Sequence, residues 1–101
     1  MTMITVSELK DRLESEDLVV IDVREPWEYE EHNIGATNIP LTLLPEKLEE
    51  LEELKSKEVV VHCQSGKRSH QARKYLAMHG FEKVKSLVGG LQAFEEEESE
   101  G

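Results

Sequence analysis

The sequence has a single cysteine, Cys63, among its 101 residues. That scarcity excludes an internal disulfide, a multi-cysteine zinc site and an internal resolving thiol for redox cycling. No metal and no cofactor is expected. No apolar run approaches the roughly 18 residues that a membrane span needs, and the polar stretch Met1 to Arg12 lacks the pattern of a signal peptide. A cytoplasmic location is therefore expected, with no membrane partner. Basic residues are also few: 12 Lys and Arg stand against 22 Asp and Glu, for a net charge of −10. A chain so acidic is repelled by nucleic acid and anionic lipid, so neither is expected as a partner. Internal repeats are absent, and the one biased segment is the acidic tail Glu95 to Gly101, which is expected to fray.

What is present suits one domain over residues 1–101, with an apolar fraction of 38% supplying a modest single core. Thr5-Val6-Ser7-Glu8 has the spacing of a capping box, and Ile4 and Leu9 are placed to form a hydrophobic staple, so a helix is predicted from Val6 to Leu13. Asp17 to Val23 is rich in β-branched residues and reads as a strand covered on both faces of a parallel sheet. Pro26 suits the first turn of a short helix through Tyr29 and Glu31. His32 to Ala36 reads as loop and Ile39-Pro40 as extended chain.

Pro45 opens a predicted acidic helix, with Leu44, Leu48, Leu51 and Leu54 as its core face and Glu46, Glu49, Glu50, Glu52 and Glu53 in solvent. The strand Val59 to His62 leads to Cys63, and a helical pattern runs from Gln71 to His79 with Gly80 as its C-cap. Val84 to Val88 is the last strand, Gly89-Gly90 a turn, and Leu91 to about Glu96 the last helix. Strands alternating with helices give the predicted fold class: α/β, three layers, a mainly parallel central sheet flanked by helices. Sites in such sheets lie beyond the carboxyl ends of the strands, where Cys63 falls, with Asp22 as its neighbour.

The stretch Cys63-Gln64-Ser65-Gly66-Lys67-Arg68-Ser69 therefore sits where a strand turns into a helix. Helix N-termini offer unpaired N–H groups and a positive dipole end, so the turn favours an anion. A thiolate is the obvious anion, and such surroundings lower a thiol pKa. The plainer alternative makes Cys63 a small buried hydrophobe. Charge bears on the choice: from Val59 to Phe81 the four ionised groups Lys67, Arg68, Arg73 and Lys74 are all basic. A local positive patch on an acidic chain suggests an anionic substrate or intermediate, although Arg73 and Lys74 read more simply as a solvated helix face. His62 alternates away from Cys63 in the strand, so a catalytic Cys–His pair is not expected. Trp27 and Tyr29 are placed to line the mouth of the site, although partial burial against the loop is the preferred expectation for amphipathic aromatics.

With these residues in place, the sequence resembles a single-domain rhodanese, of the thiosulfate sulfurtransferase family, over nearly its whole length. Ile21-Asp22-Val23-Arg24-Glu25-Pro26 with Glu28-Tyr29 resembles the first family motif, and Ile34-Gly35-Ala36 with Asn38-Ile39-Pro40 the segment after it. Cys63 to Ser69 resembles the active-site loop, and Gly89-Gly90-Leu91-Gln92-Ala93-Phe94 the closing motif. The resemblance implies a Cys63 persulfide that takes sulfur from thiosulfate or another sulfur donor and passes it to a thiol or cyanide acceptor. It further implies that the amides of Gln64, Ser65, Gly66, Lys67, Arg68 and Ser69 stabilise the persulfide. Arg68 would hold the donor's oxygens or brace the loop, Asp22 would hydrogen-bond and shape the loop, and Arg24 would form a buried ion pair. Phe94 replaces a common tryptophan, His32-Asn33 a commoner Gly-His, and neutral Gln64 and Ser65 the basic residues of some members.

Two other functions stay open at this point. One is a sulfur-carrier or regulatory module acting with a protein donor or acceptor. The other is a cysteine-dependent phosphatase or arsenate reductase, although four residues between Cys63 and Arg68 make a tighter ring than the five-residue spacing that the resemblance assigns to the related phosphatases.

Overall fold

A computed structural model describes residues 2–15 and 17–100, with backbone alone for 98–100. Five strands, β1 (Met3–Ile4), β2 (Leu18–Asp22), β3 (Thr37–Asn38), β4 (Glu58–His62) and β5 (Lys83–Leu87), form one sheet in the order β1-β5-β4-β2-β3. Every pairing is parallel, and β4 is central, in register with β2 (Asp22 opposite His62) and with β5 (Val61 opposite Ser86). Helices α1 (Val6–Arg12), α2 (Pro26–Glu31), α3 (Leu44–Lys47), α4 (Lys67–Met78) and α5 (Gly90–Glu100) complete the fold.

The alternation of β4 shows why the run Val59 to Val61 must be apolar throughout. Val59, Val61 and Cys63 face one core, with Ala72 and Leu76 of α4, Leu44 of α3 and Phe81. Val60 faces the other core, with Leu9 of α1 and Leu91 and Phe94 of α5. A strand with helices on both faces leaves no side for a polar row. Phe94 is buried in that second core, with the Lys10 ammonium 4.8 Å from its ring centroid. The capping box forms as predicted: Glu8 N–H donates to Thr5 Oγ1 at 3.2 Å, and Thr5 N–H donates to the Glu8 carboxylate at 3.1 Å.

Several elements differ from the sequence reading. The predicted helix from Pro45 through Leu54 is broken: only Leu44–Lys47 is α-helical, flanked by 3₁₀ turns at Leu41–Leu43 and Glu52–Leu54. Glu46, Glu49, Glu50, Glu52 and Glu53 fall at like-charged i,i+3 and i,i+4 spacings that weigh against a continuous helix by a few tenths of a kcal/mol each. This is a contributing factor only, since α5 carries such spacings from Glu95 to Glu100 and stays helical. The leucines keep their role, with Leu44 and Leu51 buried. Helix α4 starts at Lys67, earlier than Gln71, so the second half of the cysteine loop is already helical. The two-residue edge strands β1 and β3 are too short to carry a period. Helix α5 runs on to Glu100, past the Glu96 of the sequence reading and through most of the tail expected to fray; Gly101 lies outside the described residues.

Candidate active site

Cys63 leaves the carboxyl end of the central strand and is buried, with its sulfur enclosed by the start of α4. Gly66 N–H donates to Sγ at 3.0 Å and Ser69 N–H at 3.4 Å. Gly66 makes the turn possible with φ of +112°, in the left-handed region where a side chain is strained. Burial pushes the Cys63 thiol up, but the Ser69 N–H and hydroxyl, then the Gly66 and Ser65 N–H groups, outweigh it. The thiol is held below its ordinary value.

A second helix terminus fixes the loop from outside. Leu91 N–H donates to the Cys63 carbonyl at 2.8 Å and Gln92 N–H to the Gln64 carbonyl at 3.0 Å, so the free amides of α5 hold the carbonyls that the loop turns outward. This contact demands glycine. A Cβ on Gly90 would lie 2.6 Å from the Gln64 oxygen and 2.7 Å from the Cys63 oxygen, with φ at +62°.

Arg68 braces the loop. Its guanidinium donates to both carboxylate oxygens of Glu28 in α2, at 2.5 and 3.0 Å, and Arg68 foremost pulls the Glu28 carboxyl down to about 2. Glu28 also accepts the Glu25 N–H at 3.0 Å, so one carboxylate joins the start of α2 to the cysteine loop. Lys67 and Ser65 are exposed, and Gln64 is half-buried.

Asp22 is fully buried, and its bonds run to Arg24 rather than to the loop amides. It accepts from the Arg24 backbone N–H at 2.9 Å, from Nε at 3.1 Å and from the terminal nitrogen at 2.8 Å. Arg24 makes the buried pair and carries the link onward, donating to Gln64 Oε1 at 3.4 Å and to the His32 carbonyl at 2.6 Å. Asn38 secures this turn by donating to the carbonyls of Asp22 at 3.1 Å and Arg24 at 3.0 Å. His62 points away from the sulfur, as alternation requires, with Nε2 3.6 Å from Asp22. Burial pushes the His62 pKa down, against the pull of Asp22 and the Cys63 carbonyl, so the ring is neutral near pH 7.

Trp27 is 62% exposed, contrary to the expected packing against the loop, and stands over a cleft of about 360 Å³ that Arg24, Gln64 and Leu91 also line. The half-buried Tyr29 donates its hydroxyl to the Ala36 carbonyl. Two residues in contact with the site escape sequence reasoning in their roles: Glu28, as the partner of Arg68, and Ser86, whose hydroxyl lies 2.7 Å from that of Ser69. A small polar residue at a core-facing position of β5 is the one local sign of Ser86. Among the described residues, no group of three or more His, Cys, Asp or Glu could hold a metal ion, and no helix is long and apolar enough to cross a membrane.

The site is thus a parallel α/β sheet whose central strand delivers one buried thiol into a ring of loop amides. Comparison with known proteins narrows the class. The Rhodanese-like domain matches residues 5–97, and the chain belongs to the rhodanese family. A sulfurtransferase of Allochromatium vinosum is 38% identical over 88 residues, covering 85% of this chain and 80% of the relative. A Bacillus subtilis protein provisionally named a sulfurtransferase is 43% identical over 96 residues, covering 93% and 90%. A rhodanese-related protein from Thermoplasma volcanium superposes with a TM-score of 0.85 at 33% identity, over 96% of this chain and 93% of its own. Other relatives are longer: this chain spans 48% of a Bacillus subtilis protein provisionally named a sulfur carrier and 28% of the tRNA uridine(34) hydroxylase of Cytophaga hutchinsonii.

Proposed function

We propose that residues 1–101 act as one rhodanese unit that moves sulfane sulfur through a persulfide on Cys63. The observation that carries this reading is the ring of N–H groups from Gly66 and Ser69 closed on Sγ at 3.0 and 3.4 Å. In loading, the Cys63 thiolate attacks the outer sulfur of the donor. The new S–S bond forms as the donor's own bond breaks, and the electron pair leaves on sulfite when the donor is thiosulfate, or on a thiolate when it is a persulfide. In discharge, an acceptor thiolate or cyanide takes the outer sulfur and Sγ recovers its pair. Neither step needs an outside oxidant or a cofactor. The preorganised loop amides face the charge that appears on sulfur, so stabilisation costs no reorganisation at the moment of transfer.

Arg68 belongs to the frame of the site. Its bidentate hold on Glu28 leaves thiosulfate oxygens to the amides and the exposed Lys67, and the same engagement counts against a phosphatase, whose arginine must be free to bind the oxyanion. Trp27, 62% exposed on the cleft beside Gln64, favours a second reading in which a protein partner donates or accepts the sulfur, since exposed aromatics beside a site are frequent anchors for partners.

Mass spectrometry tests the proposal. Incubation with thiosulfate and no acceptor should add one sulfur atom, cyanide should remove it, and Cys63→Ala should gain nothing. No gain from thiosulfate or from a persulfide donor, with the thiol shown to be reduced, overturns both sulfur readings. Rapid loading with slow release to cyanide identifies the carrier, and hydrolysis of an aryl phosphate identifies a phosphatase.

A further inference from the structure

Beneath the sulfur lies a hydroxyl pair that the transfer steps above do not use. Ser69 of α4 and Ser86 of β5 are both fully buried, with their oxygens 2.7 Å apart. Ser69 Oγ is also 3.1 Å from the Gly66 carbonyl and 3.7 Å from Cys63 Sγ. A hydroxyl has one proton to give, and both a carbonyl and a thiolate can only accept it. Ser69 can therefore serve Gly66 or the thiolate, one at a time. Turning away from Gly66 is cheap, because that carbonyl already accepts the His70 N–H at 3.0 Å. Either hydroxyl of the pair can donate, but whenever the Ser69 proton is given to Gly66 or to the thiolate, Ser86 is the donor to Ser69 Oγ.

We propose that Ser69 is a one-proton switch under the sulfur and that Ser86 is the positioning residue that sets it. With Cys63 as a thiol, S–H donates to Ser69 Oγ and Ser69 donates to the Gly66 carbonyl. On ionisation the S–H bond breaks, its proton passes to solvent base, and the Ser69 hydroxyl turns to Sγ. In the persulfide the charge sits on the outer sulfur, so Ser69 returns to Gly66. Discharge breaks the S–S bond, leaves the pair on Sγ, and draws the hydroxyl back. The pair thus acts on the thiolate as nucleophile and as leaving group, beside the loop amides, which bond Sγ in every state and serve the persulfide as well. Ser86 strengthens the bond by polarising the Ser69 hydroxyl from behind. The lowering of the thiol by the Ser69 hydroxyl agrees with this geometry.

The inference rests on Cys63 being the reacting thiol, and its test needs no sulfur donor, so its failure is distinct from failure of sulfur transfer. Alkylation by iodoacetamide is followed against pH. Ser69→Ala should weaken thiol ionisation by about tenfold, raising the midpoint by about one pH unit, as for a hydrogen bond to a charged group. Ser86→Ala should weaken it by roughly threefold through the lost polarisation. Ser86→Thr, which keeps the hydroxyl, should restore the midpoint. The double variant should match Ser69→Ala alone, because Ser86 acts through Ser69. An unchanged midpoint in Ser86→Ala, or a double variant shifted beyond Ser69→Ala, overturns the proposal. If Ser86→Ala does not fold, Ser69→Ala decides by itself, and an unchanged midpoint there overturns it.

Discussion

At the scale of single residues, the site depends as much on what is missing from one glycine as on the thiol. Gly90 lets α5 press its first amides onto the Cys63 and Gln64 carbonyls, and an added Cβ would overlap both oxygens. Gly90→Ala should therefore cost at least about 2 kcal/mol, combining left-handed strain with a clash against backbone. Urea unfolding measures this, and a loss below about 1 kcal/mol would show that the loop yields easily. Cys63 itself was legible from sequence because strand, turn and helix are local patterns, and a lone thiol between them is conspicuous. The partners of Arg68 and Ser69 were not. Glu28 lies 40 residues from Arg68 and Ser86 lies 17 from Ser69, and no local period couples such positions. Asp22 shows the limit of analogy: its neighbourhood was foreseen, but its carboxylate is spent on Arg24, which makes the link to Gln64.

Between elements, the decisive contact is the bridge that ties α2 to the start of α4. Glu28 has its carboxyl pulled from the ordinary 4.5 to about 2, mainly by Arg68, so the folded protein binds its proton less tightly than the unfolded chain does. The bridge then contributes its full stability above about pH 4.5 and loses it as the pH falls toward 2. The stability difference between the native protein and Glu28→Gln should be constant from pH 7 to 5 and shrink steadily below that. Denaturant unfolding across this range provides the measurement, and a difference that does not change with pH would mean that Arg68 does not hold the carboxylate. Elements with strong local signals, such as the capped α1 and the apolar β4, matched their predicted places. The acidic leucine segment departed from its predicted helix because the leucine period is equally served by two 3₁₀ turns and a short helix, a choice made by tertiary packing that no local period records.

Across the whole molecule, the sequence and the structure give opposite impressions of charge at the site. Along the chain, the window around Cys63 is basic within an acidic protein of net charge −10. In space, Arg68 is paired with Glu28 and Arg24 with Asp22, while Glu31 and Glu95 line the cleft beside the loop and Glu96 stands near Ser65 on its other side. Lys67 is the exposed cation left in the loop. Were thiosulfate the donor, as proposed, its dianion would approach against the field of the protein, and screening should help it. With a Debye length of about 30 Å at 0.01 M salt and about 8 Å at 0.15 M, most of the repulsion is removed between those conditions. Thiosulfate kcat/KM should rise by about threefold or more over that range, carried by KM, since long-range fields act on encounter and the enclosed sulfur is little screened. A sulfur donor with no net charge should show no such rise. If thiosulfate kcat/KM instead falls with salt, Lys67 and Arg68 dominate the approach, and the basic window read from the sequence is the better description of the site.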